Sequence, residues 1–378
     1  MIAPLAAVGA GRIVVGAIGA VLLMVAVVDL FVTVFNYDGF SFVANRLHGW
    51  LWRLVRGLSR PLPDRPRHAV LSLGSAAMLP ATYVLWLGLE VIAFALIFEP
   101  GVHGGGFTLH HMQAGIGAAF YLSAGAISSL TFGDIVPVSG LFRALVDLET
   151  IIGLTTFTIA LGYVVTTFDV LRTLDALHST VRRHAEDPSR PSSILARHFR
   201  GGEPTELPSL LGSLTEKLQE YDQGLRRYPV VYYFHTRRLQ RSIPRVFAAL
   251  GELIALLRWG LPAEERLTAD PLLAALEDEY RTTLDRLQRS FVGPPEVEHP
   301  KPLPVEAFWE AYDGGREDGW VARFRDLQRR ARAATQIAPT EGRETAAAYD
   351  QYREWLQFTR QRDVVLSRVA DALGYPHL

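Results

Sequence analysis

Ser129, Leu130, Thr131, Phe132, Gly133 and Asp134 place hydroxyls, a glycine and a carboxylate in one short run. Backbone carbonyls and a hydroxyl presented in a row, with a carboxylate at one end, can replace the water around a cation. No paired acid, nucleophile or metal constellation accompanies them in the carboxyl half, so chemistry on a covalent bond is not expected and the chain does not read as an enzyme. Cysteine is absent, which removes disulfides, thiolate metal sites and cysteine nucleophiles together, and no cofactor or resident metal is expected. His103, His110 and His111 precede the run and could sense protons or bind a divalent ion. They lack an adjacent carboxylate or cysteine pattern, so the ordinary reading is an incidental loop cluster.

The run has to be held by apolar elements on both sides. Ile13 to Phe35, Ala69 to Phe98 and Leu141 to Phe168 each exceed the roughly 20 residues that cross about 30 Å of hydrocarbon. The first has no positive charge before Arg12 and no small-residue cleavage site, so it reads as a retained helix and not a signal peptide. No Lys or Arg occurs between Arg67 and Arg143, whereas from Thr173 onward charged residues are dense. The basic loop Arg46, Arg53, Arg56, Arg60, Arg65 and Arg67 belongs in the cytoplasm by the positive-inside rule, as do Arg172, Arg182 and Arg183. A multi-pass protein of the cell membrane is expected, with the amino terminus outside and the carboxyl terminus cytoplasmic. Trp50, Trp52, Leu54, Val55 and Leu58 interleave with Arg53 and Arg56, the pattern of an amphipathic helix at the interface of the bilayer. Pro80 should kink the second span or mark its entry. No span repeats Arg or Lys at every third position, so a voltage-sensing helix is absent. A net charge of -1 gives no case for nucleic acid, and basic residues that are almost all Arg suggest a bacterial source.

Between the second and third spans, Gln113 to Ser128 is long enough for about three turns of helix and too short to cross. The run that follows resembles the selectivity filter of potassium channels, usually TVGYGD. Ser129 stands for the threonine, Leu130 for the valine, Thr131 for the first glycine, Phe132 for the tyrosine, and Gly133 and Asp134 for the last two residues. The register continues without a gap through Ile135-Val136-Pro137-Val138, and Arg143 and Gly153 fall where the two-helix channels have an arginine and a hinge glycine. The resemblance covers Ala69 to Phe168, about a quarter of the chain.

It implies a re-entrant pore helix, an extended filter whose carbonyls come from Ser129, Leu130, Thr131 and Phe132, and a homotetramer passing a monovalent cation, K+ in the first instance. It also implies a hinge at Gly153 and a cavity and gate lined by Leu154, Phe157, Thr158, Leu161 and Val165, which recur at helical spacing. The alternative reading of that stripe is packing against the outer helix, and for Gly153 and Gly162 close helix contact is as common a reason as bending. Asp147 and Glu149 lie inside the third span, where carboxylates are costly unless they face protein or water; one of them would brace the back of the filter, with Glu90 as a partner. Thr131 departs from the family. A β-branched residue resists positive φ at a cost of about 1–2 kcal/mol, so cation over anion is a firmer expectation than potassium over sodium.

After the third span, Leu171, Leu174, Leu177 and Val181 keep helical spacing, so the inner helix should extend into the cytoplasm and break near Pro188 and Pro191. Helices are expected at Ser209 to Leu225, Val230 to Ser242, Arg245 to Trp259, Pro271 to Phe291, Glu317 to Ala334 and Glu344 to Leu373. No GxGxxG follows a strand, and Gly104-Gly105-Gly106 reads as a flexible turret. Tyr232 to His235 with Arg237 and Arg238 reads as a buried aromatic helix with a basic face.

The expected architecture is an all-α membrane protein with three transmembrane helices, a re-entrant pore helix and filter loop, and an all-helical cytosolic domain. Its parts are an N-terminal span (1–36), a cytoplasmic basic interfacial segment (37–68), a pore domain (69–170: outer helix 69–98, pore loop 99–139, inner helix 140–170) and the cytosolic domain (171–378). The lipid bilayer is one partner; the cytosolic domain would serve assembly or gating, with an unidentified ligand or protein. The competing expectation is a non-conducting receptor or scaffold that keeps the pore fold.

Overall fold

The computed structural model describes residues 9–36, 41–130, 133–185, 190–200, 203–261, 270–293, 301–337 and 344–376. The chain is an all-α membrane protein. Three helical stretches are long and apolar enough to cross a membrane, Gly11–Phe35, Asp64–His103 and Gly140–His184. Two compact units divide it: Met1–Asp169 with Leu225–Phe234, and Val170–Gly224 with His235–Leu378.

In the first unit α1 (Ala10–Phe35) is followed by α2 (Ala44–Ser59) and α3 (Asp64–Ala76), then by α4 (Met78–His103). The expected interfacial segment 37–68 and outer helix 69–98 therefore have different bounds. Pro80 explains the break, because its ring would clash with the carbonyl four residues back and α3 ends at that residue, Ala76. Helices α1 and α4 approach closely at Gly19, where a Cβ would stand 2.6 Å from the Ala93 carbonyl oxygen. Small residues at such crossings let backbones meet where lipid supplies no hydrophobic drive.

A twelve-residue helix, α5 (Ile116–Ile127), lies between α4 and α6 (Gly140–His184) along the chain. Phe94, Phe98, Phe107, Ala118, Leu122, Ile135 and Phe142 form one buried cluster that joins α4, α5 and the start of α6. Two three-residue strands, β1 (Phe107–Leu109) and β2 (Ile135–Pro137), pair antiparallel with Thr108 opposite Val136. The turret expectation is corrected here. The Gly104 and Gly106 amides donate to the carbonyls of Pro100 and Gly101, and the Val138 amide donates to the Gly106 carbonyl.

In α6 the buried positions Glu149, Gly153, Thr156, Ala160, Tyr163, Thr167 and Val170 alternate steps of four and three, so one face is covered along its length. The expected helix at Val230 to Ser242 is absent. Pro229–Tyr233 and Leu239–Arg241 are short 3-10 turns instead, in a stretch of β-branched and aromatic residues that favour helix poorly. The first of these turns belongs to the first unit, where Tyr233 lies 6.0 Å from the Trp52 ring of α2 and Tyr228 lies 5.8 Å from Tyr163 of α6.

The second unit is built on α9 (Ile243–Trp259), which is apolar nearly all round and buried among neighbouring helices. Around the chain come α7 (Ser192–His198), α8 (Leu207–Arg227), α10 (Pro271–Leu287), α11 (Val305–Tyr312), α12 (Gly319–Thr335) and α13 (Glu344–Leu373). Helices α7 and α11 were not expected. Neither was a second two-stranded ladder, β3 (Phe199–Arg200) with β4 (Glu203–Pro204). Asp270 and Asp318 cap α10 and α12 by accepting from Leu272 N and Trp320 N at 2.8 and 2.9 Å.

Candidate functional site

The residues after α5 do not leave the helix as extended chain at once. The Ser129 amide donates to Ala126 O at 3.0 Å and the Leu130 amide to Gly125 O at 2.8 Å. This pair of bonds closes the helix as a Schellman cap, with Ser129 at φ 59° in the left-handed position usually held by glycine. The expectation of an extended Ser129 is corrected: that residue turns the chain, and extension can begin only at Leu130, which is exposed. Thr131 and Phe132 lie outside the described residues. Gly133 has φ 76°, a region L-residues enter at a cost of about 1–2 kcal/mol, and glycine enters freely.

Asp134 is held from two sides. The Tyr121 hydroxyl on α5 donates to its Oδ2 at 2.8 Å, and the His110 amide donates to its carbonyl at 2.8 Å. The β1–β2 ladder continues this tie, and Arg143 Nε donates to Pro137 O at 3.1 Å. Both ends of the loop are thus fastened to α5 and to the strand beside it.

Behind α5 stands a buried polar group of four. Ser123 Oγ on α5 lies against Glu149 Oε1 on α6 and 2.9 Å from Val91 O on α4. Thr156 Oγ1 on α6 donates to Glu90 Oε1 on α4 at 2.7 Å. All four side chains are buried. The Ser123 hydroxyl thus ties α5 to both neighbouring helices, α4 through the Val91 carbonyl and α6 through Glu149. Thr150 Oγ1 adds a bond to Ala126 O at 3.1 Å, which reaches the carboxyl end of α5 from α6. Asp147 is exposed and takes no part in the group.

Gly153 was expected as a hinge, yet α6 runs through it unbroken. A Cβ there would stand 2.5 Å from Ile127 Cγ1 and 2.6 Å from Ile127 O, so close approach to the end of α5 accounts for the glycine. Leu154, Phe157, Leu161 and Val165 are each more than half exposed, and Thr158 is exposed beside them. They share the face of α6 opposite its buried stripe. Phe157 also meets Tyr83 of α4 edge-on at 6.0 Å.

His103 belongs to the last turn of α4, not to a loop, and its Nδ1 lies 3.2 Å from Glu99 Oε1, which Arg12 also approaches at 3.6 Å. No group of three metal-ligating side chains occurs among the described residues.

One polar network went unnoticed in the sequence. Asp29, buried in α1, accepts from the amides of Phe42 and Val43 at 2.8 Å each and from Trp86 Nε1 at 3.0 Å. It therefore caps the start of α2 from another helix. Nearby, His48 Nε2 bonds Thr82 Oγ1 at 2.8 Å. Since Thr82 spends its own proton on Met78 O, the histidine is the donor. Burial pushes the His48 imidazole down to about 4 from 6.5, with Asp29 opposing the shift. A lone carboxylate within an apolar run was the available signal for Asp29.

Fold and composition define an all-α membrane protein with three candidate spans. The uncharacterized membrane protein YdjJ of Bacillus subtilis (strain 168) is similar, 23% identical over 286 residues, which is 75% of this chain and 81% of the relative. No protein-family model matches the chain. No solved structure matches it.

Proposed function

We propose that this chain is the subunit of a homotetrameric, potassium-channel-like cation pore. The observation that carries the reading is α5: a twelve-residue apolar helix, too short to span, set between two spanning helices and followed by a loop tied down at Asp134. Non-helical backbone at membrane depth is tolerated where protein or water surrounds it, and a re-entrant pore loop meets that condition. The carboxyl end of α5 carries the negative end of the helix dipole, which favours a cation in front of it. One loop per chain requires several chains to surround an ion, and four is the number the resemblance implies.

In this reading the exposed face with Leu154, Phe157, Thr158, Leu161 and Val165 lines a cavity, and Asp134 draws cations to the outer mouth. The arginine-rich α2 lies on the cytoplasmic surface and the amino terminus outside. Glu149 supports the loop from behind through Ser123 and α5. The second unit serves assembly or gating.

The test is reconstitution of the full chain into liposomes, with flux and reversal potential read under opposed potassium and sodium gradients. Cation flux with a reversal potential displaced toward potassium is expected; intact tetramers that pass no cation would sink the proposal and leave the non-conducting receptor. Tyr121→Phe removes the hydroxyl held to Asp134 and should shift the reversal potential toward zero while tetramers persist. An unchanged reversal potential in that variant would refute the role given to the Tyr121–Asp134 bond.

A further inference from the structure

A groove of about 560 Å³ opens in the second unit against the carboxyl end of α6, α9 and the turn Leu239–Arg241. Its volume falls in the range of roughly 300–1,000 Å³ typical of small-molecule sites. Val181 from α6 and Val246 and Ala248 from α9 give it an apolar floor. Arg182 and Arg245 stand exposed at its edge, and Arg182 forms no ion pair among the described residues.

The acid in the lining is already matched. Glu252 is 2.7 Å from Arg330 and 3.3 Å from Arg362, so its charge is answered within the protein. What faces the opening is a positive edge over an apolar surface. Guanidinium groups favour phosphate because their planar fork meets its oxygens two at a time. An apolar floor favours a ligand with an organic body over a bare ion.

From this geometry we infer that the groove binds a soluble phosphate ester with an apolar or aromatic body. A lipid phosphate shares that chemistry, but Arg182 lies about fourteen residues, or roughly 21 Å of helix, past Phe168, where the apolar run of α6 ends. Headgroups extend only about 5–7 Å beyond the hydrocarbon, which favours the soluble source. An occupant would bridge α9 and the end of the helix that carries the proposed cavity face. That regulatory meaning rests on the pore reading; the binding itself does not.

Calorimetric titration of the detergent-solubilised full chain tests it, with adenosine monophosphate, glucose 6-phosphate, inorganic phosphate and dioctanoyl phosphatidic acid as probes. Saturable binding of adenosine monophosphate is expected, at least tenfold tighter than inorganic phosphate. Replacing Arg182 and Arg245 by Ala should weaken it by about tenfold for each arginine. Both positions are exposed, so the variants should fold, as circular dichroism would verify. Ala248→Trp, which fills the floor and keeps the charges, should also abolish binding. Saturation by the lipid phosphate alone, no saturation by any probe up to millimolar concentration, or binding indifferent to the arginines would each overturn the inference. Flux without phosphate binding would leave the pore reading standing, and binding without flux would leave the groove.

Discussion

Two glycines in α6 separate close packing from bending by a comparison within one helix. At Gly153 a Cβ would meet Ile127 Cγ1 at 2.5 Å and Ile127 O at 2.6 Å, whereas at Gly162 nothing lies within 4 Å. Ala in place of Gly inside a helix gains about 0.5–1 kcal/mol in either position. At Gly153 that gain is opposed by an overpacking penalty of about 1–3 kcal/mol, because one of the two contacts is backbone and cannot rotate away. Gly162→Ala should therefore stabilise the protein by about 0.5–1 kcal/mol, and Gly153→Ala should destabilise it by roughly 1–2 kcal/mol.

Denaturation of the detergent-solubilised chain, followed by helical circular dichroism, reads both. A double-mutant cycle with Ile127→Ala sharpens the result. Removing Cγ1 relieves one contact and leaves the carbonyl, so the coupling should recover about 0.5–1 kcal/mol and not the whole penalty. Equal stabilisation by the two alanines would refute the close approach. A Gly153→Ala protein of unchanged stability but altered flux would instead support the hinge expected from the resemblance.

His48 links stability to acid. Its folded value of about 4 lies below the usual 6.5, so the contribution is complete above pH 6.5, falls as pH drops through that window, and is exhausted below about 4. The loss should amount to about 3 kcal/mol and be absent in His48→Gln; parallel stability-against-pH curves for the two proteins would refute it. Asp29→Ala strands two buried amides and the Trp86 indole, and should cost about 2–5 kcal/mol in chemical denaturation and expose the start of α2 to hydrogen exchange. A change below 0.5 kcal/mol, estimated against ordinary surface substitutions, would remove the capping role.

The spans and α5 were legible because they follow from composition and length. A run of about twenty apolar residues crosses, and one of twelve does not. The helices of the second unit followed periodicity where it was sustained, as in α13, whose bounds Glu344–Leu373 agree with the sequence reading. Periodicity failed where the chain is decided by distant partners. Tyr233 sits in a short turn in contact range of Trp52, a neighbour that no local window contains. The strands β1 and β2 have three residues each, too few for alternation to register. At the candidate loop the order of residues was readable, whereas the turn at Ser129 was not, since sequence alone places no serine at positive φ.

The three buried carboxyl groups of the first unit, Asp29, Glu90 and Glu149, follow one rule that the charge distribution makes intelligible. No Lys or Arg lies between Arg67 and Arg143, so Glu90 and Glu149 cannot be answered by a cation from that stretch. Their partners are the hydroxyls of Thr156 and Ser123, and each bond joins two different helices. Asp29 likewise takes its three donors from outside α1. Helices in lipid gain little from hiding apolar surface, so the arrangement that gives Glu90 Oε1 and Glu149 Oε1 their hydroxyl partners is favoured over other apolar packings. Sliding α4 past α6 by one turn, about 5.4 Å, would separate Glu90 from Thr156 and strand a carboxyl group where water cannot reach. The same bonds that look like local details of a loop therefore fix the register of the helices that hold it.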